Sequence, residues 1–310
     1  MSRDFAALRA ALAEGILAFP ATPFTADLAL DVPTLERHVA DLAAARPIAL
    51  VPAGGAGELF SLTATEHAAI VAATIKHAAG IPVIAGVGGS VAIAAETALA
   101  AEKAGADAVL LLPPYLITPD QEGLAAYAAY VCRRVGLGVI VYSRDNGIFA
   151  PETVAKLAAA HANLLGLKDG TGDLAVLRRL KSELGGRLAI VNGVPTAEMA
   201  ARDCFALGIR AYSSAVFSFA PPIAQAYFVA LAAGSPRAEA IMREFYEPLV
   251  RIRAHRPGYA VSIIKAGLRV IGKSAGPVRP PLVDLSHAEE DELRRLIANA
   301  AKFTAMEAAR

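Results

Sequence analysis

Cysteine is scarce in this chain of 310 residues, which contains only Cys132 and Cys204. Two cysteines cannot form the framework of several disulfides that holds small secreted domains together. Both lie among apolar residues, and we therefore expect them to be buried, reduced thiols. A chain of this length can bury most of the surface of its unfolded state, so it requires neither disulfides nor a structural metal for stability.

An excess of charge of one sign is absent as well. The chain has 30 Lys and Arg against 29 Asp and Glu, and its net charge is +1. This balance offers no electrostatic attraction for nucleic acid or for an anionic membrane surface, and we expect neither as a partner. Charged residues make up 19% of the chain and hydrophobic residues 55%, which excludes a disordered protein.

Apolar segments of the kinds used for export or for membrane insertion are also missing. The N-terminal sequence MSRDFAALRAALAEG lacks the apolar core of a signal peptide, so we expect a cytoplasmic protein. Residues 211–236 carry no charge and are as long as a transmembrane helix, which needs about 20 residues. This stretch contains Pro221, Pro222 and Gln225, however, and a strand, a break and a helix explain it better than a membrane span.

Signatures of metal or nucleotide binding do not occur in the sequence. None of the six histidines has a cysteine or a second histidine at metal-ligand spacing on one helix face. The glycine-rich stretch at residues 54–57 is not followed by the Gly-Lys-Ser/Thr of a Walker motif. We therefore predict that the protein requires no metal and no organic cofactor.

Eight short apolar runs, rich in Val, Ile and Leu, recur along the chain. Their apolar residues occupy both alternating positions, which is typical of strands that are buried on both faces of a sheet. The first residues of successive runs are 23 to 34 positions apart. The runs are residues 16–19, 48–52, 82–87, 108–112, 138–142, 164–168, 188–192 and 211–216.

Alanine-rich amphipathic stretches lie between these runs and carry helix signals. Thr63 and Glu66 have the spacing of a capping box at a helix start. Gly105 and Gly136 are placed to end helices as left-handed caps. Eight strand–helix units predict an α/β fold of the closed (β/α)8 TIM barrel type, since a doubly wound open sheet seldom needs so many regular units.

The barrel accounts for the chain to about residue 233. We assign residues 1–233 to the TIM barrel with a short N-terminal segment, and residues 234–310 to C-terminal helices with one Pro- and Gly-rich break at 276–281. No low-complexity segment or flexible linker separates the two parts of the sequence. We therefore expect a C-terminal helical extension that packs on the barrel rather than a free second domain.

Polar residues at the ends of the apolar runs mark the expected active site, because TIM barrels carry their active sites at the carboxyl ends of the strands. Lys168 ends the sixth run, where desolvation lowers the pKa of an amine, as a Schiff-base nucleophile requires. The alternative is a buried lysine paired with a carboxylate. Asp169 is the less natural partner, because neighbouring residues of a strand point to opposite faces.

Further candidates end the neighbouring runs. Tyr142 ends the fifth run, so its hydroxyl could relay protons near Lys168, or its ring could simply cap the core. Arg144 could bind a substrate carboxylate, or it could be a solvated loop arginine. The amides of residues 54–57 could hold a carboxylate or a phosphate, or the glycines could serve only a tight turn.

Several segments together resemble one family of enzymes. PAGGAGELFSLT, VIVYSRD, GLKDGTGD, NGVPTAE and AYSSAVF are similar, in order and in strand position, to the class I Schiff-base lyases related to dihydrodipicolinate synthase and N-acetylneuraminate lyase. The tail segments GYAVSIIKAGLRVIG and GPVRPPLVDLS resemble the branch of that family that dehydrates and decarboxylates 5-dehydro-4-deoxy-D-glucarate. The resemblance covers nearly the whole chain.

The resemblance implies a reaction and a role for particular residues. Lys168 would form the Schiff base and Tyr142 would relay protons. The partner would be a small-molecule keto sugar diacid, which a homo-oligomer, a tetramer in this family, would convert to 2,5-dioxopentanoate, carbon dioxide and water without a cofactor. The residues implied to bind the substrate are Gly54, Gly55, Ala56, Arg144, Gly193, Ser213 and Ser214.

Departures from the family pattern keep rival hypotheses open. Ala56 and Ser143 stand where a hydroxyl residue and an asparagine are common, and Leu116 stands where the synthases lend a tyrosine to a neighbouring subunit. One rival is an aldolase that cleaves a 2-keto-3-deoxy sugar acid through the same imine. Others are a catalytically silent barrel that binds a sugar acid or acts as a regulator, and a phosphate-binding barrel that uses residues 54–57.

Overall fold

The computed structural model describes residues 4–273 and 275–304. It contains eight strands, and each overlaps one of the eight predicted apolar runs. Residues along these strands are buried at nearly every position, as continuous apolar runs require. The strands are β1 (Glu14–Ala18), β2 (Ala49–Leu50), β3 (Ile84–Gly89), β4 (Ala108–Pro114), β5 (Gly138–Ser143), β6 (Leu164–Asp169), β7 (Ala189–Asn192) and β8 (Arg210–Ser214).

All strand pairs are parallel, and the strands form a barrel. Hydrogen-bonded neighbours follow the order β2-β1-β8-β7-β6-β5-β4-β3. A parallel bridge between Leu50 of β2 and Val83, just before β3, joins the two ends of this series. Leu50 N also donates to Pro82 O at 2.9 Å, and Gly86 N donates to Pro52 O at 2.9 Å. The predicted (β/α)8 TIM barrel is therefore confirmed.

Helices connect the strands and continue beyond the last one. A π-helical segment, Met242–Tyr246, joins α10 to α11, and short 3₁₀ turns lie at Leu59–Ser61, Val216–Ser218 and Ala301–Phe303. The helices are α1 (Phe5–Ala11), α2 (Val32–Ala44), α3 (Ala64–His77), α4 (Val91–Ala104), α5 (Gln121–Cys132), α6 (Pro151–Ala160), α7 (Leu174–Leu184), α8 (Glu198–Ala206), α9 (Pro221–Ala232), α10 (Pro236–Ile241), α11 (Glu247–Arg253), α12 (Tyr259–Val270) and α13 (His287–Ala300).

Local signals set several helix ends. Thr63 forms the predicted capping box at the start of α3. Gly105 ends α4 in the left-handed conformation with a φ of 99°, as predicted. The prediction for Gly136 was wrong, because α5 already ends at Cys132. The amide of Arg133 closes that last turn on carbonyls within the helix, so no left-handed residue is needed there.

Apolar side chains fill the interior of the barrel, which confines a ligand to one end. The outer faces of the strands pack against the helices, and Cys132 and Cys204 are buried there as free thiols, as predicted. The interior cluster includes Leu17, Val51, Ile84, Leu110, Ile140 and Val191. Lys168 borders these residues at the carboxyl ends of the strands. The fold therefore places polar residues of the strand ends at the edge of the apolar barrel interior.

The C-terminal helices lie against the barrel. Lys265 of α12 pairs with Glu58 of the loop after β2, with 2.7 Å between Nζ and Oε1, and both side chains are fully buried. Gly267 packs so closely on the ring of Phe219 that a Cβ there would lie 2.5 Å from the ring. These contacts agree with an extension that packs on the barrel, while the division of the chain at residues 233 and 234 stays a prediction.

The charge-free stretch at residues 211–236 adopts the predicted strand, break and helix. It contributes most of β8, the 3₁₀ turn after it and α9. Across the described ranges, 4–273 and 275–304, no helix is both long and apolar enough to cross a membrane.

Candidate active site

A cavity of about 1040 Å³ opens at the carboxyl ends of the strands. The structure brings the predicted site residues together around it, with one exception. Gly54 is buried against the ring of Phe19 and does not line the cavity. The predicted residues that line it are Gly55, Ala56, Tyr142, Arg144, Lys168, Gly193, Ser213 and Ser214.

The amine of Lys168 is a buried nucleophile candidate. Its side chain is 5% exposed, near the carboxyl end of β6. Nζ donates to the carbonyl oxygen of Gly193 at 3.2 Å and lies 3.5 Å from the centroid of the Tyr142 ring. Burial holds the pKa of the amine well below its ordinary value of 10.5, and the charge of Arg144 lowers this pKa further. A lysine with such a lowered pKa is neutral at lower pH and can attack a ketone.

Asp169 does not act as a contact partner of Lys168. Its two carboxylate oxygens accept hydrogen bonds from Thr171 Oγ1 and from Gly172 N, each at 2.8 Å. Asp169 therefore fixes the turn that follows β6. In the part of the chain that the structure describes, no carboxylate lies within 4.0 Å of Lys168 Nζ. The contacts thus do not support the alternative of a lysine buried as half of an ion pair.

The hydroxyl of Tyr142 and the amine of Lys168 share one acceptor. Tyr142 Oη donates to Gly193 O at 2.7 Å, and Arg144 Nη1 donates to Tyr142 Oη at 3.4 Å. Burial raises the pKa of the Tyr142 hydroxyl, and Arg144 opposes this rise. A Cβ at position 193 would lie 2.7 Å from Lys168 Nζ, so the site requires glycine there. Both groups donate to the same carbonyl oxygen, so the hydroxyl and the amine lie on the same side of the cavity, where a phenol can serve as a proton relay.

The loop at residues 54–57 combines strained ends with unbonded amides. Ala53 and Glu58, which flank it, have left-handed φ angles of 52° and 57°. Such angles cost free energy in residues other than glycine and occur preferentially at functional sites. Within the described ranges, the amides of Gly55 and Ala56 donate to no protein acceptor. A carboxylate could accept from both amides, although Ala56 offers it no hydroxyl.

Arg144 lines the cavity but already has partners. Its Nε lies 2.6 Å from Asp145 Oδ2, and its guanidinium carbon lies 5.3 Å from the centroid of the Tyr142 ring. Ser143 is buried, and its Oγ accepts a hydrogen bond from Phe149 N at 3.1 Å. The serine that departs from the family pattern therefore supports the backbone after β5 and is not a lining residue of the cavity.

Ser214 links the cavity to a buried carboxyl group. Its Oγ donates to Glu198 Oε1 at 2.5 Å and accepts from Phe217 N at 3.1 Å. Glu198 is fully buried, and this burial raises the pKa of its carboxyl to about 7. Ser213 is half-buried and lines the cavity beside it. Sequence reasoning missed Glu198, because it lies in the first turn of a helix rather than at a strand end.

The C-terminal extension supplies cavity residues that strand-end patterns do not predict. Arg253, the last residue of α11, lines the cavity and donates from Nη1 to Oγ1 of Thr196, another lining residue. Thr196 could have been found, because it follows the strand-end residue Gly193 by three positions. Arg253 could not, because its approach to the barrel depends on the path of helices whose packing the sequence does not encode locally.

These groups suit imine chemistry on a keto acid. They provide a desolvated amine, a phenol beside it and unbonded amides for a carboxylate. Across residues 4–273 and 275–304, no three His, Cys, Asp or Glu side chains cluster as metal ligands. A TIM barrel with a buried lysine near the carboxyl end of β6 and a tyrosine on β5 defines the class of Schiff-base-forming lyases.

Comparison with known proteins identifies the family. The model of the dihydrodipicolinate synthetase family matches residues 12–300, and the chain belongs to this family. A protein of Bradyrhizobium sp. (strain ORS 278) is 46% identical over 292 residues, which cover 94% of this chain and 93% of the relative. One of Saccharopolyspora erythraea is 48% identical over 289 residues, with coverages of 92% and 93%. Both are named probable 5-dehydro-4-deoxyglucarate dehydratase. The predicted resemblance is confirmed.

Solved structures share the fold over nearly the whole chain. The dihydrodipicolinate synthase of Bacillus clausii superposes with a TM-score of 0.86 and 26% identity, covering 94% of this chain and 99% of that one. YagE, a prophage protein of the dihydrodipicolinic acid synthase family from E. coli K12, was solved in complex with pyruvate. It gives a TM-score of 0.83 and 26% identity, with coverages of 93% and 98%.

Proposed function

We propose that the protein converts 5-dehydro-4-deoxy-D-glucarate to 2,5-dioxopentanoate, carbon dioxide and water through a Schiff base on Lys168. The observation that carries the proposal is the buried Lys168 amine beside the Tyr142 hydroxyl, both bonded to Gly193 O. The names of the relatives support the substrate and the dehydratase reaction. The pyruvate complex of YagE supports a 2-keto acid as the ligand of such a site.

The reaction begins with imine formation at C5 of the substrate. The neutral amine of Lys168 attacks the C5 ketone, while the unbonded amides of Gly55 and Ala56 hold the adjacent C6 carboxylate. The resulting carbinolamine loses water and becomes an iminium ion. The Tyr142 hydroxyl lies beside the amine, and it donates and recovers the proton that this exchange of water requires.

The iminium ion then drives dehydration and decarboxylation. It acidifies C4, whose proton is lost to give an enamine, and the enamine expels the C3 hydroxyl as water. The C1–C2 bond breaks next, and its electrons pass through the conjugated C3–C4 double bond into the iminium nitrogen as carbon dioxide leaves. Protonation at C4 and C3, ketonisation of the C2 hydroxyl and hydrolysis of the imine release the product and Lys168, with net uptake of one proton.

Reductive trapping tests the Schiff base. With pyruvate and borohydride, we expect a stable mass increase on Lys168, and none in Lys168→Ala. Lys156, exposed on α6, serves as the matched control, and Lys156→Ala keeps the label. Because burial lowers the pKa of Lys168, the trapping rate should rise with pH and level off at that lowered pKa, at a lower pH than for an exposed lysine. Unlabelled parent protein would contradict the proposal.

Turnover separates the proposed reaction from its rivals. Incubation with 5-dehydro-4-deoxy-D-glucarate should release carbon dioxide and an aldehyde product. Free pyruvate from a 2-keto-3-deoxy sugar acid would instead indicate the aldolase. Ligand binding without turnover, unchanged in Lys168→Ala, would indicate a silent barrel. Thermal stabilisation by phosphate esters alone would favour the phosphate-binding barrel.

We also propose a cytoplasmic homotetramer that serves glucarate catabolism. The family resemblance supports the tetramer, and three exposed apolar residues beside the cavity support a covered surface there. Tyr115, Leu116 and Ile117 are 71%, 83% and 63% exposed. Light scattering of the purified protein tests the oligomeric state, and a monomer would contradict it.

A further inference from the structure

The charged side chains that line the cavity are few and unevenly partnered. Among the residues that the structure describes, and apart from a histidine, they are Arg144, Asp145, Lys168 and Arg253. Arg144 and Asp145 form an ion pair with 2.6 Å between Nε and Oδ2. Lys168 is the buried amine of the proposed Schiff base. Arg253 is the remaining cation, and it belongs to the wall that the C-terminal helices build.

Arg253 keeps its charge without a carboxylate in contact. Burial lowers the pKa of its guanidinium and Glu198 raises it, but an arginine stays protonated at neutral pH. Among the described residues, no carboxylate oxygen lies within 4.0 Å of this guanidinium. The carboxyl of Glu198 accepts from Ser214, and its pKa of about 7 leaves it only partly ionised. A half-buried guanidinium without a carboxylate partner is most stable when an anionic ligand pairs with its charge.

Thr196 fixes the guanidinium at the cavity. Thr196 is 9% exposed, and its Oγ1 accepts from Arg253 Nη1. Its φ of 54° is unfavourable for a β-branched residue, so the surrounding structure holds it in a strained conformation. Thr196 also lies on the same loop as Gly193, three residues beyond the carbonyl that binds Lys168. One loop therefore carries both the imine end of the cavity and the anchor of Arg253.

We infer that Arg253, held by Thr196, binds the substrate carboxylate that is remote from the imine, and thereby selects six-carbon 2-keto diacids. The inference rests on the proposed function, in which this group is the C1 carboxylate. It transfers to Arg253 the role for which the sequence suggested Arg144. The fork of Arg144 is engaged by Asp145 and by the Tyr142 hydroxyl, next to the imine.

The chemistry of the reaction fits this assignment. A guanidinium fork binds a carboxylate through two parallel hydrogen bonds and fixes its orientation. By holding the C1 carboxylate, Arg253 would orient the C1–C2 bond so that the electrons of this bond can enter the conjugated iminium system as the bond breaks. Leu249, Val261 and Ile264 line the same cavity and can accommodate neutral carbon dioxide. The product lacks the remote carboxylate, so its release loses no contact with Arg253.

A matched pair of keto acids tests the inference. 2-Oxoadipate and 2-oxohexanoate have the same chain and the same reacting ketone, but only the first has a remote carboxylate. The measured quantity is the keto-acid concentration at which borohydride traps half of the protein. For the parent protein, we expect this concentration to be roughly 10- to 100-fold lower for 2-oxoadipate than for 2-oxohexanoate, because a pair of charge-assisted hydrogen bonds contributes about this factor to binding. Arg253→Gln should abolish this preference and leave trapping by pyruvate unchanged. Arg253→Lys should restore part of it.

Control variants separate binding from folding. Arg251→Gln, on the exposed side of the same helix, should keep the full preference. Thr196→Val should weaken the preference, because Arg253 loses its anchor, and Thr196→Ser should restore it. If Arg253→Gln still prefers 2-oxoadipate over 2-oxohexanoate, the inference is overturned. It is also overturned if Arg144→Gln, rather than Arg253→Gln, loses this preference. An equal loss of pyruvate trapping in Arg253→Gln also overturns it, because Arg253 would then support the fold.

Calorimetric titration measures the preference for 2-oxoadipate over 2-oxohexanoate as a difference in binding, and it does not require an imine to form. If the parent protein is not trapped by any keto acid, the proposed Schiff-base function fails. Tighter binding of 2-oxoadipate than of 2-oxohexanoate that disappears in Arg253→Gln would still support the carboxylate site. Equal binding of the two acids by the parent protein would overturn it.

Discussion

At the scale of single residues, one backbone oxygen organises the reacting groups. Gly193 O accepts from Lys168 Nζ at 3.2 Å and from Tyr142 Oη at 2.7 Å. A side chain at position 193 would lie within 2.5 Å of the Lys168 side chain. The glycine after β7 is therefore as necessary to the geometry as the lysine, although it carries no chemistry of its own.

Tyr142→Phe tests the proton relay, because it removes the hydroxyl and keeps the ring 3.5 Å from Lys168 Nζ. We expect kcat to fall by about 10²- to 10⁴-fold, the range for loss of a positioned acid–base group, with a smaller change in KM. Steady-state kinetics and the rate of borohydride trapping measure this. Tyr130→Phe, on α5 outside the cavity, is the matched control. An unchanged kcat in Tyr142→Phe would assign the relay to another group.

Some residues of the site lie at strand ends and others lie on helices, and this difference decides which of them could be predicted from the sequence. Lys168 and Tyr142 could be predicted from the sequence, because each ends an apolar run and strand ends meet at one edge of a barrel. Arg253 and Glu198 could not be predicted in this way. Their side chains arrive from helices, and the position of a helix end over the cavity depends on packing between distant segments.

At the scale of elements, a buried ion pair ties α12 to the loop that follows β2. Lys265 Nζ lies 2.7 Å from Glu58 Oε1 and also donates to Pro277 O at 2.7 Å. Glu58 Oε2 accepts from Arg279 N at 3.0 Å. Burial lowers the pKa of Lys265, and Glu58 opposes this effect. The C-terminal extension therefore fixes the loop whose amides we assign to the keto-acid carboxylate.

Breaking this pair should destabilise the protein strongly. Lys265→Met leaves the Glu58 carboxylate buried without its cation, and we expect a loss of about 3–5 kcal/mol in the free energy of unfolding. Lys265→Met combined with Glu58→Gln should cost less than the sum of the single variants, because no charge is left unpaired. Urea unfolding measures both.

The control is the exposed pair Lys76–Glu36, in which the lysine side chain is 66% exposed. Its loss in Lys76→Met should cost less than about 1 kcal/mol. Additive costs for Lys265 and Glu58 would show that the two charges do not stabilise each other.

The strands were more predictable than the helix ends, for a physical reason. A strand buried on both faces must be apolar at every position, so its run is visible in the sequence without knowledge of its neighbours. The end of α5 is set instead by local hydrogen bonds at Arg133, and a glycine nearby was not a sufficient signal. Patterns that reflect burial over several residues therefore predict better than single turn residues.

At the scale of the whole molecule, the barrel and the extension share one core. The rings of Tyr227 in α9 and Tyr246 in the π-helical segment lie 5.0 Å apart between centroids. Gly267 packs on the ring of Phe219, and Lys265 neutralises Glu58 inside the barrel loop. Removing the extension would expose aromatic rings and leave a buried carboxylate without its partner.

A chain that ends at residue 233 should therefore not fold cooperatively. It keeps all eight strands but loses the cover of Phe219 and Tyr227 and the cation that pairs with Glu58. We expect the complete chain to unfold in a single calorimetric transition, and the shortened chain to lack both that transition and a near-ultraviolet circular dichroism signal. A shortened chain that unfolds cooperatively would make residues 1–233 an independent domain, with the remaining helices serving only as a wall of the cavity.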